Sequence, residues 1–250
     1  MIGLPQAGTL RLPEMAADAA QLWQAIFDLC DRLPPDGWIL VGGQMVMAHG
    51  LAATRTAPRV SRDIDLMANL ITSGNSLHRC VETVRGLGFE GRPSMDGRSL
   101  HRFARRSDAL VIDVLAPDHA PPNRRLTTVP PRMTIAVEGG RQALTRAVGL
   151  EASFGERSVL LPVPSVLGAL VLKAAAYRAD PRDRERHAED AAFLVSLIED
   201  PIAAREQFAG SDRKRLLGLD RVIGEVEHRV WRQLGEYGLD AHTTWRLLLS

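Results

Sequence analysis

The sequence predicts an α+β fold, with a mixed-sheet core domain over residues 1–163 followed by a helical domain over residues 164–250. Three observations predict it. In the front half, short apolar runs bounded by glycine and proline turns alternate with segments of helical spacing. Between Pro117 and Pro164 proline and glycine are dense, and the readable pieces are short and β-like. Beyond Pro164 apolar residues recur at helical spacing almost to Ser250, with no internal repeat or low-complexity segment.

From Ala16 to Leu33, the residues Leu22, Ile26, Leu29 and Leu33 line one helical face, and Pro34-Pro35-Asp36-Gly37 ends it with turn chemistry. Trp38-Ile39-Leu40-Val41 is an apolar run that stops at Gly42-Gly43, and helix formers resume from Gln44 to Leu51. The unit is strand, glycine turn, helix. A polar stretch from Ala52 to Arg62 leads into Asp63-Ile64-Asp65-Leu66-Met67, whose alternation suits a strand with both aspartates on one face. A helix over Ser76 to Leu87 comes next. Leu100 to Ala104 and Ala109 to Leu115, separated by Arg105-Arg106-Ser107-Asp108, read as a hairpin whose second strand carries Asp113. Met133 to Val137 and Val159 to Val163 are the β-like pieces of the proline-rich stretch. Ser165 then caps a helix that buries Leu167, Leu170, Val171 and Ala174. Arg178 to Glu189 is a charged run of both signs, Phe193, Leu194, Leu197 and Ile198 form another apolar stripe, and Leu216 to Leu234 reads as one amphipathic helix.

With 250 residues, 45% of them apolar, the chain can bury a core for one large or two small domains. A formal charge of +1 leaves only local patches, not the whole surface, to attract nucleic acid. Cys30 and Cys80 lack both C-x-x-C spacing and a disulfide framework, as buried thiols in a reducing cytoplasm would. No basic leader precedes a long apolar run, and no stretch approaches the ~18 apolar residues that span a bilayer. The expectation is a cytoplasmic chain with no membrane partner. Lysine is scarce: Lys173 and Lys214 are the only two among many arginines, so each poses a functional question.

Two aspartates at i and i+2 on a strand share a face, and a third on an adjacent strand can complete a site for a hard divalent cation and a polyphosphate. Asp63, Asp65 and Asp113 meet that description. Alone, like charges so close would repel, and Asp113, between Leu110-Val111-Ile112 and Val114-Leu115, is costly to bury uncompensated. Magnesium, with manganese as the alternative, is the expected metal. Gly42-Gly43, between a strand and a helix, lets backbone N–H groups and a helix amino terminus approach a triphosphate.

The stretches Val41-Gly42-Gly43-Gln44-Met45 and Arg59-Val60-Ser61-Arg62-Asp63-Ile64-Asp65-Leu66 resemble the signature of the AbiEii-type nucleotidyltransferases, in the polymerase-β nucleotidyltransferase superfamily. Lys173, Arg178 and Asp190 before Phe193-Leu194 resemble that family's lysine–arginine–aspartate motif. The resemblance spans Trp38 to Leu197. It implies a polymerase-β-like core, a nucleoside triphosphate as donor and an RNA acceptor such as a tRNA 3′ end. It also implies a toxin role with an antitoxin protein as partner. Carried onto this chain, it names Asp63, Asp65, Asp113, Lys173 and Asp190 as catalytic, the three strand aspartates as metal ligands, and Gly42, Gly43, Gln44, Arg59, Ser61, Lys173 and Arg178 as nucleotide-binding. Departures are Gln44 where a serine or small residue is usual, a long linker over Ala52 to Pro58, and Phe193 in place of a further aspartate.

The mechanism this implies has two magnesium ions among the aspartates, Asp113 as base for the attacking hydroxyl, and Lys173 neutralising the departing pyrophosphate. Arg98, His101, Arg102, Arg105 and Arg106 on the hairpin, with Arg124, Arg125 and Arg132 beyond it, form a group able to track an RNA backbone or simply a solvated mixed-charge face. His49, His119 and His187 lack metal-ligand spacing and read as ordinary polar residues. The alternatives are a transferase that modifies a small molecule and a non-catalytic nucleotide-binding or protein-interaction module.

Overall fold

The computed structural model describes residues 3–59, 61–121 and 126–250; Val60, Arg124 and Arg125, named above, lie outside the described residues. The chain is α+β, with mixed sheets in front of a run of helices. In order come β1 (Gln6–Arg11), α1 (Ala17–Arg32), β2 (Trp38–Val41), α2 (Gly42–Ala52), β3 (Asp63–Ala68), α3 (Ser76–Gly86), β4 (Glu90–Arg92), β5 (Arg102–Ala104) and β6 (Val111–Pro117). The short β7 (Thr127–Val129), β8 (Arg132–Met133) and β9 (Ala136–Val137) precede α4 (Gly140–Thr145), β10 (Ala147–Phe154) and β11 (Arg157–Pro164). The helices α5 (Val166–Ala179), α6 (Arg184–Val195), α7 (Pro201–Glu206), α8 (Asp212–Ile223), α9 (Arg229–Arg232) and α10 (Gly238–Leu249) complete the chain.

The main sheet runs β2-β3-β6-β5-β4, with β9 alongside β6. β3 and β6 are parallel, while β2 on β3 and β5 on β6 are antiparallel. Its centre buries Leu40, Ile64, Leu66, Ile112 and Val114, which the strand register puts together on one face, opposite the face that carries Asp65 and Asp113. Where polar residues do interrupt these strands, they mark one end of the sheet and one face. β11 lies beside β2 and carries the small sheet β1-β10-β11.

α5 follows β11 directly: Ser165 accepts from the Gly168 N–H at 3.3 Å, and Leu167, Leu170 and Val171 are buried below it. α6 packs along α5, and both touch α2. One contiguous apolar core joins Trp23, Ile64 and Val114 to Leu170, Phe193 and Trp245. Phe193 is part of that core, with the Arg55 guanidinium 5.5 Å from its ring centroid. The helix expected from Leu216 to Leu234 is two. α8 stops at Ile223 with Gly224 as its cap, the Gly224 N–H donating to the Asp220 carbonyl at 2.8 Å, and His228 starts α9 afresh. No helix among the described residues is long and apolar enough to cross a membrane.

Candidate active site

Strand register assembles the site. Across the sheet Val41 pairs with Asp65, Asp65 with Asp113, and Asp113 with Arg102, so one row crosses four strands. Cross-strand partners share a face, which brings Asp65, Asp113 and Arg102 side by side; Asp63, two residues before Asp65, joins them. Gly42 and Gly43 start α2 at the end of the same row. Gly42 has φ +71°, and a Cβ there would lie 1.8 Å from Asp65 Oδ2. A Cβ on Gly43 would lie 2.6 Å from the Ser61 Cβ. The glycine pair is needed because the carboxylate and the Ser61 loop press against bare backbone at an uncapped helix start. Gly42→Ala is expected to destabilise the chain by about 1–2 kcal/mol in chemical denaturation from its left-handed backbone alone, with the clash adding to it; an unchanged midpoint contradicts this crowding.

These residues line a cleft of about 610 Å³ together with Arg59, Ser61, Arg62, Lys173, Asp180, Asp183, Arg186 and His187. Asp113 is buried, Asp63 half-exposed. Burial, and then the neighbouring Asp113 carboxylate, push Asp65 up to about 6, with Lys173 pulling the other way. Asp63 is also raised by burial, against the opposing charge of Arg102. Arg102 forks Asp113, Nε to Oδ1 at 3.0 Å and Nη2 to Oδ2 at 2.8 Å, and its Nη2 is 3.6 Å from Asp63 Oδ2. In this arrangement no group of three or more His, Cys, Asp or Glu side chains among the described residues is gathered to hold a metal ion. A guanidinium stands at the carboxylates instead. The donor chemistry itself, hard carboxylate oxygens on one face beside a carboxylate whose charge is disfavoured, fits magnesium or manganese once Arg102 is withdrawn.

Lys173 is on α5, almost fully buried, with Nζ 2.7 Å from Asp190 Oδ2. Asp190, on α6, also takes a fork from Arg59, Nε to Oδ1 at 3.2 Å and Nη2 to Oδ2 at 2.8 Å. Buried and absent from the lining of the cleft, Asp190 sits behind Lys173 and Arg59 and orients them. The structure thus places Asp190 one layer behind the cleft, as the shared partner of Lys173 and Arg59. Arg178 also stands off the cleft. It is exposed and pairs with Glu138, because five residues past Lys173 a helix has turned by about 140° away from the cleft.

Gln44 is buried and its amide donates to the Ser61 carbonyl at 2.8 Å, holding the loop rather than offering its side chain to a phosphate. Ser61 donates to the Asp63 carbonyl at 3.3 Å. His187, read as an ordinary polar residue, lines the cleft with both ring nitrogens buried and without partners among the described residues, and burial and then Lys173 lower it to about 4. Arg186, on the same wall, was also unanticipated; only its place in the charged run pointed to either. His49 is held by the Pro164 carbonyl at 2.9 Å, away from the cleft.

The basic hairpin is largely self-neutralised. Arg105 pairs with Asp108 and stacks on Phe89, Arg106 pairs with Glu90, and Arg102 belongs to the cleft. A second hollow of about 820 Å³ beside α1 shares Ser61 and Arg62 with the cleft but has mostly apolar walls, including Leu22, Met47 and Leu51. No family model, no curated protein and no solved structure matches the chain.

Proposed function

We propose that the chain is a metal-dependent nucleotidyltransferase with a polymerase-β-like core, moving a nucleotide from a nucleoside triphosphate to an acceptor hydroxyl. The observation that carries this reading is the row in which the glycine start of α2, Asp65 and Asp113 stand level in one cleft, with Lys173 facing them from the helical half. The cleft lining holds five cationic side chains (Arg59, Arg62, Arg102, Lys173, Arg186) and five aspartates (Asp63, Asp65, Asp113, Asp180, Asp183). A bare triphosphate, with a charge of about −4, would upset that balance, whereas a triphosphate with two divalent ions would not.

Asp63, Asp65 and Asp113 would hold the metal, which when bound supplies Lewis-acid polarisation of the phosphate and neutralises the leaving pyrophosphate. The remaining work is the chain's own. Backbone N–H groups at Gly42 and Gly43 bind phosphate oxygens at the amino terminus of α2. Asp113 accepts the proton of the attacking hydroxyl. Lys173, fixed by Asp190, presents a positive charge whose position costs no rearrangement as charge develops on the phosphates. The signature residues around Asp63 and Lys173 resemble a family that modifies RNA, so an RNA 3′ hydroxyl is the proposed acceptor, and a toxin role with an antitoxin partner follows from the same resemblance.

The deciding experiment incubates the purified chain with each labelled nucleoside triphosphate, magnesium and total RNA, and looks for label on RNA. Absence of transfer to RNA from any of the four nucleotides overturns the RNA assignment. A binding test is independent of the acceptor: magnesium with a triphosphate is expected to raise Tm more than either alone, since ligands of the native state stabilise it by mass action. No shift at millimolar nucleotide would sink the nucleotide site itself.

A further inference from the structure

Arg102 does for the carboxylate face what a metal ion would do. Its guanidinium engages both oxygens of Asp113 and reaches Asp63, while Arg59 and Lys173 are committed to Asp190 and Arg186 to Asp183. Without Arg102, two carboxylates on the same face would confront Asp65 with no direct counter-charge, a costly arrangement in a partly dry cleft. Its position is set by β-sheet register, Arg102 directly opposite Asp113, and is no accident of a wandering surface side chain. Yet the side chain is 47% exposed, against 10% for that of Asp113, so the guanidinium can leave toward solvent while the carboxylate cannot.

We propose that Arg102 is the exchangeable counter-ion of this site: it neutralises Asp113 and Asp63 while no divalent cation is present, and passes to the polyphosphate of the incoming nucleotide when the cation takes its place. The proposal rests on the nucleotidyltransferase reading and adds a residue and a rule to it. A guanidinium forks phosphate as well as carboxylate, so the exchange trades one bidentate partner for another. Metal alone must evict Arg102 with nothing to receive it, whereas metal and triphosphate together provide both halves of the exchange. Metal and nucleotide are therefore coupled through Arg102.

The test titrates Mn²⁺ alone, by electron paramagnetic resonance, into the wild-type chain, Arg102→Gln and Arg102→Lys. Arg102→Gln is expected to bind Mn²⁺ about ten-fold more tightly than wild type, with Arg102→Lys between them. Wild-type and Arg102→Gln chains with equal Mn²⁺ affinity overturn the proposal while leaving the metal reading intact. If neither binds Mn²⁺, even with a non-hydrolysable ATP analogue, the nucleotidyltransferase reading falls and the proposal with it. A measurement on the unaltered chain guards against a variant that fails to fold. The ¹⁵N signal of the Arg102 Nε–H is expected to move when magnesium and the analogue are added together. A signal that stays in place overturns the exchange whatever the variants do.

Discussion

Asp65→Ala is expected to abolish the proposed nucleotide transfer, by about 10³-fold or more, while the chain keeps its fold and gains stability above pH 6. The two halves of this expectation have one cause. Asp65 stands where its charge is disfavoured, lifted to about 6 by burial and by Asp113. Its proton is held more tightly in the folded chain than in the unfolded one, where the ordinary value of 3.8 applies. Its favourable contribution to stability is thus complete below about pH 4 and is lost as pH rises toward 6. The Asp65→Asn and Asp65→Ala chains carry no proton at this position and lose nothing over that range. The measurement is thermal unfolding of wild type, Asp65→Asn and Asp65→Ala without metal at several pH values, beside a transfer assay. Wild type is expected to fall relative to the variants between pH 4 and 6, and magnesium with nucleotide is expected to restore it alone. Full activity in a folded Asp65→Ala chain removes the metal assignment; a wild type whose relative stability is flat with pH removes the account of its charge.

How much of this site could be read from the order of residues depended on the range of the interaction involved. Asp63, Asp65 and Asp113 were legible because strand alternation and an apolar flank are local signals, and parallel pairing of β3 with β6 then needs only equal register. Lys173 was legible through scarcity. That Arg178 would stand off the cleft was not legible, because motif spacing along a helix says nothing of phase unless the helix boundaries are known. The pairing of Asp190 with Arg59 was not legible, since Arg59 is 131 residues away and no local pattern announces a pairing of that length. Arg102 was read as one cation among several on a hairpin; its place opposite Asp113 follows from the turn, in which Arg105 and Asp108 are tied together. On the fold side, the strand β1 was missed because five of its six residues are exposed, leaving no hydrophobic period to detect. Its partner β10 went unread as well, in a stretch where short pieces and turn residues blur the pattern. The break between α8 and α9 lies in Gly224, which a purely apolar count passes over.

Asp190 carries the other large effect, and it is one of stability. The carboxylate is 1% exposed and is the shared anion of Lys173 and Arg59, so three elements, α5, α6 and the loop before β3, meet on one side chain. Removing one partner of a buried ion pair leaves the other charged in a medium that cannot solvate it, at a cost of about 3–5 kcal/mol. Asp190→Ala does this to a lysine that is itself 4% exposed, and it frees Arg59 from the loop that frames the cleft. Asp190→Asn keeps the shape and some hydrogen bonding, so a smaller loss is expected. Lys173→Met is milder than Asp190→Ala because Arg59 still accompanies the carboxylate, and in the Lys173→Met/Asp190→Asn double variant the losses fall short of additive. Lys214→Ala, at an exposed position on α8, serves as the control and is expected to stay within about 0.5 kcal/mol of wild type. Denaturant unfolding of these variants beside wild type measures the differences, and nucleotide binding to the folded fraction separates orientation from chemistry. If Asp190→Asn lost transfer with its stability and nucleotide affinity intact, Asp190 would be taking part in the reaction itself. The expected pattern is a lowered midpoint with weakened nucleotide affinity, as befits a residue that works by holding Lys173 in place.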